Sequence, residues 1–164
     1  MPRSDHRVGL GPERVYGVAT ATDARRLWLA RVCIGLILVW NLQCALAFLV
    51  APPRYAAGFE LPGEAGNAAV RGIGLLFVMW NVPYAVALWH PVRHRVSLCE
   101  ALAMQAIGLL GESFILLSLP AAHVVARASL GRFIAFDAAG LALLVVAYFS
   151  TRRLVIPDAE SQAA

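Results

Sequence analysis

Two acids, Glu112 and Asp137, stand inside long apolar stretches, where an ionised side chain is expensive. At the centre of a membrane helix one charge costs about 2.5–3.5 kcal/mol on insertion scales, so each acid there needs a use. The carboxamides Asn41, Gln43 and Asn81 and the guanidiniums of Arg71 and Arg132 also lie within or at the ends of apolar stretches. Such groups, gathered in one apolar layer, can hold a small polar or quinone-like head group or pass protons. They can equally join helices, through interhelical hydrogen bonds of roughly 0.6 kcal/mol each. The expense of a carboxylate favours function for Glu112 and Asp137, and the carboxamides lean towards structure. Other chemistry is thin. His90 and His94 have the i, i+4 spacing of a metal or haem site, but Pro91 between them makes them loop histidines. Cys33, Cys44 and Cys99 show no C-x-x-C spacing and read as small packing residues. No phosphate loop, nucleophile elbow or zinc signature occurs, so no catalytic residue and no bound cofactor is assigned.

The elements that must position these residues follow from composition. Of 164 residues, 60% are apolar and only 15% charged, with a mean hydropathy of +0.68. A soluble domain carries roughly 25% charged residues to wet its surface. Disorder is excluded too, since it requires low hydrophobicity. An integral membrane protein of one domain remains. Four stretches, at about 27–50, 69–90, 97–119 and 129–149, are each long enough to cross a hydrocarbon core of ~30 Å. No period-2 alternation suggests a barrel, so the spans are helices. The expected fold is all-α, an antiparallel four-helix transmembrane bundle. Residues 1–26 and 150–164 are polar tails flanking a 27–149 membrane domain. The long charged tail is unlike a cleaved signal peptide, so the first span is expected to be retained.

Charge sets the orientation. All 14 cationic residues are arginine. The N-terminal tail, second loop and C-terminal tail hold nine of them (five, two and two), against Arg54 and Arg127 in the other loops. That bias puts both termini in the cytoplasm, as a multi-pass protein of the plasma membrane (the inner membrane of a bacterium). Trp28, Trp89, Tyr148 and Phe149 fall at the same, cytoplasmic ends, where aromatic rings favour the head-group layer. Once the arginines are assigned to membrane borders, no basic face is left for nucleic acid. The partners expected are the bilayer and a second copy or larger membrane complex.

Local signals refine the picture. Thr22 and Asp23 read as caps of the first helix, and Ser97 with Glu100 as a capping box for the third. Pro52–Pro53, Pro91 and Pro120 end spans, and Leu61-Pro62-Gly63-Glu64 marks a turn. The first loop, the longest, is expected to carry a short helix or lid. Pro83 frees a carbonyl inside the second span. Counting ~1.5 Å per residue puts Glu112 roughly 22 Å from the cytoplasmic edge and Asp137 about 12 Å from the outer edge, at similar depths. Arg71 and Arg132, at the outer ends, could reach inward to them or outward to head groups. Small-or-polar stripes, Ala101-Gln105-Gly108-Glu112, Gly131-Ala135-Ala138-Ala142 and Gly74-Asn81-Ala85, are expected to face other helices. The pattern R-x8-W-N-x3-A-x-A also recurs at an offset of 40, from Arg31 and from Arg71.

Arg31-x3-Gly35, the loop Ala51-Pro52-Pro53-Arg54-Tyr55 with Phe59-Glu60-Leu61-Pro62, and Val70-Arg71-Gly72-Ile73-Gly74 together resemble the DoxX-like superfamily of small four-span bacterial membrane proteins. The resemblance covers roughly residues 25–150. It implies the four-helix fold and, through members that resemble quinone- or thiol-linked oxidoreductase subunits, a redox association. The absence of paired cysteines departs from a redox role. The function expected is therefore a non-catalytic binding or accessory subunit that takes a lipid-soluble small molecule or partner helices in an outer-half pocket. Alternatives are a proton-coupled transporter acting as an oligomer and a subunit of a quinone-linked oxidoreductase.

Overall fold

The computed structural model describes residues 21–154. Among them five α-helices and one 3-10 turn form, and no strand. Helix α1 spans Ala21–Val50, α2 Pro52–Ala56, the 3-10 turn Ala57–Phe59, α3 Gly63–Trp89, α4 Arg95–Ser118 and α5 Val124–Thr151. The four long helices are each long and apolar enough to cross a membrane. Their outward faces carry large apolar side chains, with Trp89 80%, Leu117 84% and Phe114 72% exposed. Water penalises such a surface and lipid does not. The chain is a multi-pass membrane protein with an all-helical bundle.

Neighbouring long helices run antiparallel in a closed ring, α1 against α3, α3 against α4, α4 against α5 and α5 against α1. The diagonal pairs do not approach closely. The ring is filled unequally. At the end where α1 begins, Ile34, Ile37, Leu38, Tyr84, Leu98 and Leu144 form the larger buried cluster. At the other end Phe48, Ala56 and Val70 are joined by half-buried aromatic side chains from α2, α3 and α5.

Proline places the helix ends as expected. α1 stops at Val50 before Pro52, which opens α2 at a position where its missing N–H costs nothing. α3 stops before Pro91 and α4 before Pro120. The helix starts differ from the expected spans. α3 begins at Gly63 rather than 69, α4 at Arg95 rather than 97, and α5 at Val124 rather than 129. Apolar composition marks where lipid begins, and a helix continues past that border while its backbone bonds are satisfied. The capping box is therefore not formed: Ser97 and Glu100 lie inside α4, whose N-cap position is His94. Thr22 and Asp23 likewise lie within α1. Most of both tails lies outside the described residues.

Arginines close the helix C-termini from neighbouring elements. Arg31 Nη2 donates to the Trp89 carbonyl at 2.6 Å, ending α3. Arg127 donates to the carbonyls of Leu116 and Leu119, at 2.8 and 2.7 Å, ending α4. Arg95 reaches the carbonyls of Thr151, Arg152 and Leu154 at the end of α5. Each places a cation on carbonyls without an intrahelical partner, at the negative end of a helix dipole.

Candidate functional site

A cavity of about 500 Å³ lies between the four long helices, at the less filled end of the ring. Its floor is a chain of buried polar groups. The Tyr84 hydroxyl donates to Gln105 Oε1 at 2.7 Å, with the Ala101 carbonyl at 3.2 Å. Gln105 Nε2 in turn donates to Asp137 Oδ1 at 2.7 Å. The chain fits because two helices offer glycine where it crosses. A Cβ on Gly108 would overlap Asp137 Oδ2, and one on Gly140 would stand 2.7 Å from Gln105 Nε2.

Above this floor Asn41, Asn81 and Glu112 line the wall. Asn81 is 3% exposed, and its Nδ2 donates to the Phe77 carbonyl at 2.6 Å. That leaves Asn81 Oδ1, and likewise Glu112 Oε2, buried without a hydrogen-bond partner among the described residues. The remaining wall is aromatic. Trp40 lies 4.9 Å from Phe136, and Phe77 6.2 Å from Trp80, centroid to centroid. Phe48 contacts Tyr55, Phe59, Phe77 and Phe133. The roof is the expected lid: Arg54, Tyr55, Gly58 and Phe59, from α2 and the 3-10 turn, complete the lining.

The roof is fastened to α5 by Glu60. Its Oε1 accepts from the backbone N–H of Val125 and Ala126, at 3.2 and 3.1 Å, and Oε2 accepts from His123 Nδ1 at 2.6 Å. Glu60 thus caps from another segment a helix start that has no side-chain cap of its own. The His123 hydrogen bond, with the Ala126 and Val125 amides, holds its carboxyl below the usual carboxylate range. Glu60 takes a left-handed backbone, φ 56°, to present this side chain.

Of the seven residues expected at the site, Glu112, Asp137, Asn41, Asn81 and Arg132 line the cavity and Gln43 and Arg71 do not. Gln43 is exposed on the outer face of α1 beside Val39 and Gly35. Two residues turn a helix by ~200°, so Asn41 and Gln43 cannot share a face. Arg71 is exposed, a step of ~100° from buried Val70. The acids share the cavity but not a layer. Asp137 meets Gln105 and Gly108, whereas Glu112 lies ~6 Å beyond Gly108 along α4. Among the described residues neither acid forms an ion pair with an arginine. Arg132 Nη2 donates to Ser129 Oγ at 3.0 Å, and among the described residues the one ion pair is His123–Glu60.

The α4 stripe faces inward as expected, with Ala101 and Gln105 buried. The α5 stripe does not: Gly131, Ala135, Ala138 and Ala142 are exposed. The inward face carries Ser129, Phe133, Asp137, Gly140, Leu144, Ala147 and Thr151, two residues and so ~200° away. Ala85 of α3 is also exposed, and Tyr84 takes the inward position. Tyr84, the aromatic wall and Gly140 were missed as site residues. Helical spacing carried the signal, since Phe77, Asn81 and Tyr84 follow i, i+4, i+7, and Phe133, Asp137 and Gly140 repeat it.

The two Trp-Asn pairs of the 40-residue pattern, Trp40-Asn41 and Trp80-Asn81, both line the cavity. Of its other matched residues, Arg31 donates to the Trp89 carbonyl at one end of the bundle and Arg71 is exposed near the other. Compared with protein-family models, with curated proteins and with solved structures, the chain finds no match.

Proposed function

We propose that this protein binds a lipid-soluble small molecule in the cavity and does so without catalysing a reaction, as a binding or accessory component of the plasma membrane. One observation carries this: a cavity of about 500 Å³ rich in aromatic side chains is lined by Asn81 and Glu112, each with a buried oxygen that has no hydrogen-bond partner among the described residues. Small-molecule sites are typically ~300–1,000 Å³, apolar, with a few placed polar groups. Leaving polar atoms unpaired in a bundle costs stability, so a polar group kept in this wall calls for a use. The aromatic walls suit a flat ring, with quinone-like head groups the obvious class.

A second reading has one observation in its favour. Glu112 and Asp137 share a cavity and neither is paired with an arginine, an arrangement suited to carrying protons in an oligomeric transporter.

Thermal unfolding in detergent tests the binding role. Against a panel of neutral, cationic and anionic aromatic molecules, at least one should raise the Tm saturably, as ligand binding to the native state requires. Glu112→Leu should leave the unliganded protein as stable as the parent, or more so, because it removes an unpartnered oxygen. The same variant should lose the ligand-induced shift. A panel without any saturable shift refutes the role.

A further inference from the structure

We propose that the cavity opens sideways into the bilayer between the roof-side halves of α3 and α4, and that its ligand is an amphiphile, with an aromatic head in the cavity and a hydrocarbon tail in that opening. This rests on the binding role above and adds the route and the tail. The reason is that α4 keeps to α5 and parts from α3 above the floor. The buried residues of α4 are Leu98, Ala101 and Gln105, and none beyond Gln105 is buried. The roof-side apolar cluster draws side chains from α1, α2, the 3-10 turn, α3 and α5, and none from α4. Tyr84 bonds to Ala101 and Gln105 at the floor. Nearer the roof, among the described residues, no hydrogen bond or ring contact joins α3 to α4. Of the four neighbouring pairs, these two helices share the smallest contact.

The other three sides are shut by close contacts. A Cβ on Gly74 of α3 would stand 3.0 Å from the Ala45 carbonyl oxygen of α1, so those two backbones meet. Phe48 and Trp40 of α1 pack on Phe133 and Phe136 of α5. Gly108 admits Asp137 of α5 against α4. Glu60 fastens the roof. On the fourth side Trp80 of α3 and Met104 of α4 line the cavity, and each continues towards the roof as an exposed face. Leu76 follows Trp80 by one turn, and Gly111 and Ile115 follow Met104 at i+7 and i+11; all three are exposed. A Cβ on Gly111 would meet nothing within 4 Å. Leu76 lies eight residues from Tyr84 towards the roof and Gly111 six from Gln105, so antiparallel helices put them at about one depth. The strip between them is apolar, and what a bilayer offers to fill it at this depth is hydrocarbon.

The test uses the whole protein in nanodiscs and equilibrium binding of three head groups, a phenol, a benzylamine and a benzoate, each with a 4-methyl or a 4-decyl substituent. Affinities are expressed per mole fraction of probe in the lipid, which removes the tail's own partitioning. For a head group that binds, the decyl probe should match the methyl probe within about threefold, whereas an enclosed cavity would reject the tail by more than about tenfold. Gly111→Trp, which fills the gap from an exposed position, should weaken the decyl probe at least about tenfold and leave the methyl probe within about threefold. Leu76→Trp should do the same from α3, and it decides where the first variant fails to fold. Ala138→Trp, on an exposed face of α5 away from the gap, should change neither probe. Rejection of the decyl probe by the parent protein overturns the side opening and leaves the binding role intact. Equal effects on both probes in the filled variants do so too. A gap covered by a second copy would show as a dimer lost in Gly111→Trp with both probes unaffected, which also overturns it. If no head group binds in either form, both fall.

Discussion

A methyl group on Gly108 would meet the carboxylate of Asp137, which must shift from its place in the floor to admit it. Gly111, one turn along the same helix, has open space where its Cβ would go. Gly108→Ala is therefore expected to destabilise by about 1–3 kcal/mol, the usual cost of overpacking. Gly111→Ala should be neutral or slightly stabilising, since alanine favours the helix. Unfolding of both variants in one detergent measures this, and equal effects would remove the steric account. Residue types pointed to Glu112 and Asp137 from sequence because acids inside apolar spans are few and costly. Their partners were less legible. Tyr84 and Gln105 are ordinary residues until a neighbouring helix places them, and of the two arginines considered for the acids Arg132 donates to Ser129 and Arg71 is exposed. On α5 two interleaved stripes competed, and small size proved a poorer guide to the inward face than the position of Asp137 itself.

At the scale of elements the fastening of the roof is the most testable feature. Glu60 joins the segment carrying α2 to the start of α5, and that segment supplies Tyr55 and Phe59 to the cavity. Its folded-state pKa lies below the usual carboxylate range. Its contribution is thus fully present above that range and is lost as pH falls through the lowered value, where the carboxyl takes up a proton. Amide hydrogen exchange at Val125 and Ala126, corrected for intrinsic rates, should show protection at neutral pH that fades in acid. Glu60→Gln should reduce protection at neutral pH and flatten its pH dependence. Equal protection in parent and variant at every pH would mean that Glu60 does not hold the roof. Sequence periodicity and proline placement made the four long helices and the lid legible. Glu60 was not, because its partners lie more than sixty residues away and no local pattern announces a cap supplied from another segment.

For the whole molecule, one end of the bundle gathers Arg25, Arg26, Arg93, Arg95, Arg152 and Arg153 with Trp28 and Trp89, and the other carries the roof. The positive-inside rule predicts that the roof lies outside the cytoplasm. In a variant lacking the native cysteines, Glu64→Cys should react with an impermeant thiol reagent from outside intact cells. Reaction only from the cytoplasmic side would invert the topology. The bundle is thus packed solid at the arginine-rich end and open towards the roof, and the central claim is that the open half holds a small molecule. Mass spectrometry of what the gently extracted protein carries tests this most directly, with Cys44→Phe, which places a ring in the cavity wall, as the comparison. A small aromatic species should accompany the parent protein in defined proportion, enriched over bulk membrane lipid, and be lost from the variant. The same co-purified molecules in the same amounts from both proteins would contradict it.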